Sequence, residues 1–492
     1  MINPIKKHNI YIKKTDNLYK NYKIIKSLKH NLIFESNDDK FDNEHYKSSN
    51  TASNNNNDKL KLSKRLEIKE GNKRNNQLSN NKESLKIRSS LTSKNLISQI
   101  NNISNIDENP NKELNKSDNF DITHNDICPI NTLIDKYFTE IKMITDIDFH
   151  IFKFKDKVGY KNVLPIMGYT ILKTLGLVDH KIISIKKLDS FLTSVSDNYK
   201  ETTLYHNSLH GADVAQSLCA FFLNANIEEV CETTVLDLLG MVVSAMGHDL
   251  GHPGLNNNYL INSSSDLAIT YNDASCLENF HTSYLFKILR KEENNILEKL
   301  SVQNYKTIRK RMISQILATD MANHGETIST IKSKIKSCQE EGQNRFNLLS
   351  GNESTKFGEQ QSLLNYLIHM ADLGHNCKKY EISKIWVKIL CEEFWLQGDK
   401  EKANGMPISF MCDRDNTDVP ASQIGFLRGF ILSSFDCLVS MFPPLKYTIE
   451  NAENNIKQWK KIQDEKIVEK NNNENKELKE KEEEKKKNDI KD

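Results

Sequence analysis

Two histidines lie four residues apart in the stretch YHNSLHGADV, at His206 and His210, and Asp213 follows three residues later. On an α-helix, residues four apart project from the same face, one turn from each other. The spacing fits three arrangements: both imidazoles bind one metal ion, they have different tasks, or they are core histidines. Residues in other segments of the chain must decide between these three arrangements. For Asp213 we expect a cap or an ion pair within a helix bundle.

The segment MGHDLGHPGLNN places polar groups at the end of an apolar helix. The preceding run, VLDLLGMVVSAM, is apolar almost all round, which is typical of a buried helix. We expect this helix to end at Gly247, so that His248 and Asp249 follow directly and His252 comes one turn later. Adjacent residues on a regular helix point about 100° apart, so an irregular end is needed for them to converge. Burying such groups is costly unless they are paired or bind a metal ion.

A further carboxylate, Asp372, ends the apolar helical pattern of IHMADLG. With His210, His248 and Asp249 it makes a set of two imidazoles and two carboxylates. Zinc accepts this set of ligands, and the carboxylate oxygens also suit magnesium or manganese. A carboxylate that bridges two ions would therefore allow a two-metal site. Each segment alone is a weak signal, because a buried Asp is often a cap or an ion-pair partner. The ordered set, each member at an apolar helix end, predicts a metal site.

Composition divides the chain into three parts. Residues 1–140 are rich in Asn, Lys, Ser and Asp, and we expect a low-complexity, mostly disordered region, because it buries too little apolar surface to offset the entropy of ordering. From 145 to 450, apolar residues recur at helical spacing, without alternating strand runs. This predicts one large, compact, all-α catalytic domain. Residues 452–492 form a charged Lys/Glu-rich tail, either a solvated helix or disordered.

Bulk composition excludes several classes of protein. A formal net charge of +2 gives no strong attraction to nucleic acid or to membrane surfaces. The nine cysteines are scattered and the amino terminus has no signal-like apolar segment, which indicates a cytoplasmic, soluble protein with reduced thiols. No apolar run reaches the roughly 18 to 20 residues that span a bilayer. The nearest candidate, GFLRGFILSSFDCLVSMF, carries Arg428 and Asp436 and is expected to be a core helix.

Seven ordered blocks resemble the catalytic domain of the class I cyclic-nucleotide phosphodiesterases, a branch of the HD-type metal phosphohydrolases. The resemblance runs from about residue 147 to 445 and leaves out both terminal regions. It implies hydrolysis of a 3′,5′-cyclic nucleotide, cAMP or cGMP, to the nucleoside 5′-monophosphate in cyclic-nucleotide signalling. The blocks are YHNSLHGADV, GHDLGHPGLNN, LENFH, LATDM, ADLGHN, EEFWLQGD and SQIGF.

The resemblance implies a metal-binding role for two sets of residues. The first set would hold Zn²⁺, and its Asp249 would also bridge to a second ion, Mg²⁺ or Mn²⁺. The second set would organise the waters of that second ion. The first set is His210, His248, Asp249 and Asp372, and the second is His252, Glu278 and Thr319.

The resemblance also answers what the two opening histidines do. His206 would be the general acid, oriented by Glu393, and would bind no metal. Such a proton donor suits the chemistry, because the leaving O3′ alkoxide needs a proton while a hydroxide shared by two cations attacks phosphorus. The cyclic nucleotide would touch His206, Asp249 and Asp372. Its purine would contact Gln423, Phe426 and Leu390.

Some positions depart from the commoner family pattern. Gly211 stands where Ala is usual, which should cost helix stability of about 1 kcal/mol but no chemistry. His375 follows Gly374 at a position that faces the purine in many members, and Phe280 replaces a frequent His. These departures leave nucleotide selectivity open. The Gln423 amide can also flip to match adenine or guanine, so the sequence does not decide between cAMP and cGMP.

The sequence is also compatible with two other functions. The chain could be another HD-type metal phosphohydrolase, for which Gln423 and Phe426 would not influence substrate affinity. It could also be a catalytically silent nucleotide-binding or scaffold protein, although every predicted metal and acid position is occupied by a suitable residue. A regulatory partner or a dimer is possible, and no segment of the sequence identifies one.

Overall fold

The structure, a computed structural model, consists of helices whose apolar residues recur at helical spacing. It describes residues 129–141, 143–178, 183–225, 227–340, 349 and 352–488. Within these ranges the regular secondary structure is helical and no β-strand occurs, which confirms the predicted all-α class. All of them belong to one compact unit, residues 123–492. The predicted low-complexity region lies almost wholly outside the described residues.

Eighteen α-helices form in the described part of the chain, joined by short 3₁₀ turns and one π-helical segment. They are α1 Pro129–Lys136, α2 Phe138–Ile141, α3 Ile151–Val158, α4 Tyr160–Thr174, α5 Ile185–Asp197, α6 Ser208–Asn224, α7 Ile227–Val230, α8 Val235–Gly247, α9 Asn257–Asn262, α10 Asp266–Tyr271, α11 Cys276–Leu289, α12 Val302–Leu317, α13 His324–Glu340, α14 Glu353–Asp372, α15 Tyr380–Ala403, α16 Val419–Phe426, α17 Leu432–Met441 and α18 Tyr447–Asn488.

Helix α8 lies at the centre of the fold, against α4, α6, α12 and α14. It starts with a capping box, in which the Thr234 hydroxyl accepts from the Asp237 amide and the Asp237 carboxylate accepts from the Thr234 amide. Its side chains are buried on all sides, as the apolar sequence predicts. Because α6 and α14 pack on it and on each other, the ends of these three helices can form one site.

Helix α6 begins later than the histidine spacing predicts. Asn207 is its N-cap, and the Asn207 side chain accepts from the amides of Leu209 and His210. His206 therefore lies in the bend before the helix, while His210 lies in the first turn. The prediction that both histidines share one helix is wrong, because the helical backbone begins only after Asn207.

The ends of α8 and α14 provide the irregular backbone that the metal-site prediction requires. After α8, Gly251 and Gly254 both adopt a φ of +73°, a left-handed conformation that favours glycine. A Cβ on Gly251 would also lie 2.8 Å from the Tyr284 ring. Helix α14 ends at Asp372, where a 3₁₀ turn, Leu373–Cys377, takes over.

The carboxyl-terminal helix α18 packs on the same core. The boundary predicted at residues 450–452 falls inside this helix. Beyond it, Asn455 is 0% exposed, Ile456 8% and Trp459 5%. The charged remainder of the helix is exposed as far as its side chains are described.

Helices α16 and α17 are joined by the π-helical segment Leu427–Ile431 into one long apolar stretch. In the described chain, Val419–Met441 is long and apolar enough to cross a membrane by length and composition alone, with a mean hydropathy of 1.5. A core helix of a soluble protein passes the same test. Ile431, Phe435 and Leu438 are each 0% exposed in the core.

Candidate active site

The four predicted metal ligands converge although they come from segments far apart in the chain. His210 Nε2 lies 2.9 Å from Asp372 Oδ1 and 3.5 Å from Asp249 Oδ2. His248 Nε2 lies 3.0 Å from Asp249 Oδ2 and 3.3 Å from Asp372 Oδ1. Zinc bonds of roughly 2.0 to 2.2 Å would place neighbouring ligand atoms roughly 3 to 3.5 Å apart. The spacing therefore fits shared coordination of one ion.

Unsatisfied polar atoms give a second test of that fit. The Nδ1 of His248 lies 2.9 Å from the Ala245 carbonyl oxygen, to which it donates, leaving the Nε2 lone pair free. His248 Nε2 and Asp249 Oδ2 are buried, and neither has a hydrogen-bond partner among the described residues. Buried polar atoms left unpaired are costly, so a cation between them would remove this cost. His210, His248 and Asp372 could hold a metal ion, with ligand atoms all within 4.8 Å of one another.

Electrostatics favour a cation at the same place. Burial acts to lower the pKa of His248, but the Asp249 and Asp372 carboxylates raise it well above its usual value. Burial acts to raise the pKa of Asp372, but His248 and His210 hold it below its usual range. The buried Asp249 and half-buried Asp372 carboxylates thus need positive charge nearby, which a divalent ion supplies more fully than a proton.

His281 lies on the far side of Asp249 and was not among the predicted site residues. Its Nδ1 donates to the Leu250 carbonyl oxygen at 2.7 Å, and its Nε2 lies 3.8 Å from Asp249 Oδ1. That Nε2 is buried and has no hydrogen-bond partner in the described chain. Asp249 therefore directs one oxygen toward His210 and His248 and the other toward His281. The sequence signal was the LENFH block, in which His281 was the one remaining histidine.

His206 and Glu393 form a second arrangement beside the ligand cluster. His206 Nδ1 lies 2.5 Å from Glu393 Oε1, and the amides of Tyr205 and His206 donate to Glu393 Oε2. Glu393 is 3% exposed on α15. Burial acts to lower the pKa of His206, but the Glu393 carboxylate, with Asp249 and Asp372, raises it to about 9. The imidazole is thus oriented and held in its protonated form.

His252 stacks on His206 rather than on the ligand cluster. The two ring centroids are 4.1 Å apart with an interplanar angle of 21°. The Gly254 amide donates to His252 Nδ1 at 3.0 Å, so the remaining ring proton lies on Nε2. Burial and the charge of His206 lower the pKa of His252 well below its usual value. His252 is therefore a neutral hydrogen-bond donor at this position.

Glu278 and Thr319 lie near a further acidic group, Asp320. Burial and the Asp320 charge raise the pKa of Glu278 to about 7. The Asn257 amide donates to Glu278 Oε2 at 3.0 Å, a contact that the sequence patterns did not suggest. The Thr319 hydroxyl donates to the Ile316 carbonyl oxygen at 2.8 Å, so its oxygen still has lone pairs to accept from water.

The three predicted purine contacts lie on α15 and α16. Gln423 is 6% exposed and sits one turn before Phe426, which is half-buried and stacks on Phe430 with a centroid distance of 5.5 Å. The π-helical segment follows Phe426 directly, and such segments are frequent at functional sites. Leu390 is half-buried and precedes Glu393 by three residues, on the same face of α15.

Two residues that depart from the family pattern have defined surroundings. A Cβ on Gly211 would lie 2.7 Å from Tyr199 Oη and 2.9 Å from the Met246 carbonyl oxygen. Since that hydroxyl donates to that carbonyl at 2.9 Å, the glycine on α6 makes room for a link between the segment after α5 and the end of α8. His375 is 5% exposed and has an aromatic neighbour in Tyr205, 5.8 Å away between ring centroids.

Comparisons with known proteins identify relatives of this chain. A 3′,5′-cyclic-AMP phosphodiesterase of Drosophila melanogaster, isoform F, is 38% identical over 264 residues, which are 54% of this chain and 39% of that protein. A probable 3′,5′-cyclic-AMP phosphodiesterase of Caenorhabditis elegans is 32% identical over 305 residues, 62% of this chain and 44% of that protein. The chain thus spans about two fifths of the length of these curated relatives.

A solved structure has the same fold. It is the phosphodiesterase domain of a rhodopsin phosphodiesterase from Salpingoeca rosetta, with a TM-score of 0.61 and 27% sequence identity, covering 70% of this chain and 97% of that domain. Residues 205–452 match the 3′5′-cyclic nucleotide phosphodiesterase family. These residues are half of the chain and contain all twelve predicted site residues. The protein therefore belongs to the 3′5′-cyclic nucleotide phosphodiesterase family.

Proposed function

We propose that this protein hydrolyses a 3′,5′-cyclic nucleotide to the nucleoside 5′-monophosphate with two divalent metal ions. The observation that carries the proposal is the convergence of His210, His248, Asp249 and Asp372, with the His206–Glu393 pair beside them. This set joins a metal site to an oriented proton donor, and each of these features accelerates the hydrolysis of a phosphodiester.

The four converging residues would hold the first ion, for which two imidazoles and two carboxylates favour zinc. Asp249 would also contact the second ion, because its second oxygen points away from the first cluster, toward His281. A site richer in oxygen favours magnesium or manganese. His252, Glu278 and Thr319 would hold the waters of the second ion. Bound ions of this kind lower the pKa of water and neutralise charge on phosphoryl oxygens.

His206 would transfer a proton to the leaving O3′ atom of the nucleotide. Glu393 accepts the hydrogen bond from Nδ1, so Nε2 would be the nitrogen that faces the substrate. A carboxylate that holds one ring nitrogen fixes the ring orientation and stabilises the imidazolium. The two backbone amides that donate to Glu393 in turn fix the carboxylate. His206 would then donate a proton and bind no metal. The four converging residues would bind metal and donate no proton.

The purine would lie between Phe426 and Leu390, with the Gln423 amide at its polar edge. Both relatives described above are named as cyclic-AMP phosphodiesterases, which supports cAMP as a substrate. His375, at a position that faces the purine in many members of the family, would influence the choice between cAMP and cGMP. A cytoplasmic, soluble location stays a prediction from composition.

Steady-state rates on cAMP and cGMP, measured side by side with Mg²⁺ and with Mn²⁺, test the proposal. We expect turnover to the 5′-monophosphate, and a Gln423→Ala variant that raises KM for the preferred nucleotide. An unchanged KM in Gln423→Ala would favour another HD-type phosphohydrolase. No turnover of either nucleotide with either metal would favour a silent nucleotide-binding protein.

A further inference from the structure

Lys378 is a charged side chain with no exposed surface. It is 0% exposed and among the largest fully buried side chains of the described residues. Its Nζ lies 2.5 Å from Asp213 Oδ1 and donates to Gln216 Oε1 at 2.9 Å. Asp213 is itself 3% exposed. A buried ion pair recovers its desolvation cost only with good geometry and further hydrogen bonds, so stability alone is a weak reason for keeping one.

The pair joins the two segments that carry His210 and Asp372. Asp213 follows His210 by three residues on α6, within the same helical face. Lys378 follows Asp372 by six residues, directly after the 3₁₀ turn Leu373–Cys377. The ligand atoms of those two residues, His210 Nε2 and Asp372 Oδ1, are 2.9 Å apart. The ion pair is therefore a cross-link that lies one helical turn from His210 along α6 and six residues from Asp372 along the chain.

The backbone between Asp372 and Lys378 is held from a third side by α18. The Asn455 side chain donates to the carbonyl oxygens of Asn376 and Lys378, each at 2.9 Å. The Asn451 side chain donates to the Cys377 carbonyl oxygen at 2.9 Å. These contacts hold the turn against α18, whereas the Lys378–Asp213 pair holds it against α6.

The anchor of the pair also extends outside the ligand helices. The Gln216 amide nitrogen donates to the carbonyl oxygens of Ile144 and Asp146, at 2.7 and 2.6 Å. Gln216 is 0% exposed. Its side chain therefore cannot turn away from Lys378 without breaking these two bonds, so the pair has one arrangement.

We propose that Asp213 and Lys378 are positioning residues, which set the separation of His210 and Asp372 that metal binding requires. Neither touches the metal or the substrate. Ligand sets must be held within a fraction of an ångström by their supporting residues. Groups hydrogen-bonded to metal ligands typically change metal affinity by about 10- to 100-fold, and we take this range as the scale for a pair that holds the ligand-bearing segments. This inference rests on the metal site described under the proposed function.

The structure supplies a matched control in a second buried ion pair. Arg311 Nε lies 3.0 Å from Asp237 Oδ1, and the two side chains are 3% and 5% exposed. This pair joins α12 to the start of α8, at the opposite end of that helix from His248. Loss of either pair should destabilise the fold, because it leaves a buried charge uncompensated. Only loss of the Asp213–Lys378 pair should disturb the ligands.

The experiment measures the zinc dissociation constant of the full chain by competition with a chelating dye, at a temperature where circular dichroism shows each variant folded. The variants are Asp213→Asn, Lys378→Met, Arg311→Met and His210→Ala. We expect Asp213→Asn and Lys378→Met to weaken zinc binding about 10- to 100-fold, while Arg311→Met changes it less than about twofold despite a similar fall in Tm. If Lys378→Met does not fold, the isosteric Asp213→Asn carries the test.

Three results would overturn the proposal, and they differ in what else they contradict. Unchanged zinc affinity in Asp213→Asn, with affinity lost in His210→Ala, would refute positioning and leave the metal site intact. An equal loss in Arg311→Met would show that general destabilisation explains the effect. Failure of the wild-type chain to bind zinc, or binding that His210→Ala does not weaken, would refute the metal site of the proposed function as well.

Discussion

The Nδ1 atom of His206 lies 2.5 Å from the Oε1 atom of Glu393, a residue 187 positions further along the chain. This contact gives His206 a different partner from those of His210, although the two histidines are only four residues apart. His210 faces the ligand cluster, whereas His206 is held by a carboxylate outside it. Different tasks for two neighbouring imidazoles follow from that difference in partners.

We predict that His206→Ala keeps its bound metal and loses about 10²- to 10⁴-fold in kcat. Glu393→Gln should reduce kcat less, because the amide can still accept from the backbone amides but no longer stabilises the imidazolium. His210→Ala is the contrasting variant, which should lose both metal and activity. Metal content by elemental analysis, with steady-state kinetics on the same samples, checks this. Metal loss in His206→Ala would contradict the division of tasks.

We predict that Gly211→Ala destabilises the protein, contrary to the helix propensity of alanine. The added methyl group would meet Tyr199 Oη at 2.7 Å and the Met246 carbonyl oxygen at 2.9 Å, and such overpacking costs about 1 to 3 kcal/mol. Gly358→Ala is the control, since Gly358 lies inside α14 and a Cβ there meets no atom within 4 Å. Its stability should rise by up to about 1 kcal/mol.

Chemical denaturation of the two alanine variants beside the wild type measures both free energies of unfolding. A gain of stability in Gly211→Ala equal to that in Gly358→Ala would show that the contact between α6 and the end of α8 is not tight. Helix propensity alone assigns this glycine a cost in helix stability. The reason for it became visible only when the Tyr199–Met246 hydrogen bond was known.

We predict that a chain ending at residue 452 loses stability and activity, whereas one ending at residue 463 keeps both. The shorter chain lacks Asn455, which holds two carbonyl oxygens after Asp372, and the buried Trp459. The longer chain retains these and the half-buried Ile462. Thermal unfolding and cAMP turnover of both chains provide the comparison. Equal behaviour of the two chains would contradict this prediction and would support the boundary near residue 450 that composition suggested.

We predict that Glu278→Gln alters how the stability of the metal-free protein depends on pH. The Glu278 carboxyl has an ordinary pKa of 4.5 and a folded-state pKa of about 7, so the folded state binds more protons than the unfolded state between these values. Its contribution to stability is therefore present below about pH 4.5 and is lost as pH rises through about 7. Replacement by Gln removes this loss.

The measurement for Glu278 is the free energy of unfolding at several pH values between 4.5 and 7, with metal removed by a chelator. Wild type should lose more stability over this range than Glu278→Gln, because the other titrating groups are common to both proteins. Parallel pH profiles for the two proteins would mean that Glu278 titrates normally and that its burial beside Asp320 has no electrostatic effect.

The sequence predicted the fold class and the convergence of helix ends, because both depend on apolar spacing within each helix. VLDLLGMVVSAM showed a buried helix, and His248 and Asp249 had to follow its end. The start of α6 was also readable: Asn207 is a typical N-cap residue, and giving it weight would have placed His206 before the helix.

Other features depend on contacts that a sequence pattern does not encode. Lys378 looks like an ordinary surface lysine until Asp213 is known to face it. The apolar residues Ile449, Ala452, Ile456 and Trp459 do recur at helical spacing, but the charged residues after them dominated the composition of that region. Asn257 acquires a place at the site only through the fold, whereas the LENFH block already contained a signal for His281.

Anomalous diffraction from crystals of the purified chain, recorded above and below the zinc absorption edge, tests the central claim most directly. We predict a zinc peak bonded at roughly 2.0 to 2.2 Å to His210, His248, Asp249 and Asp372. A second, lighter ion should lie beside it, on the side of Asp249 that faces His281. Zinc bound elsewhere, or no zinc between those four side chains after incubation with excess metal, would contradict the account.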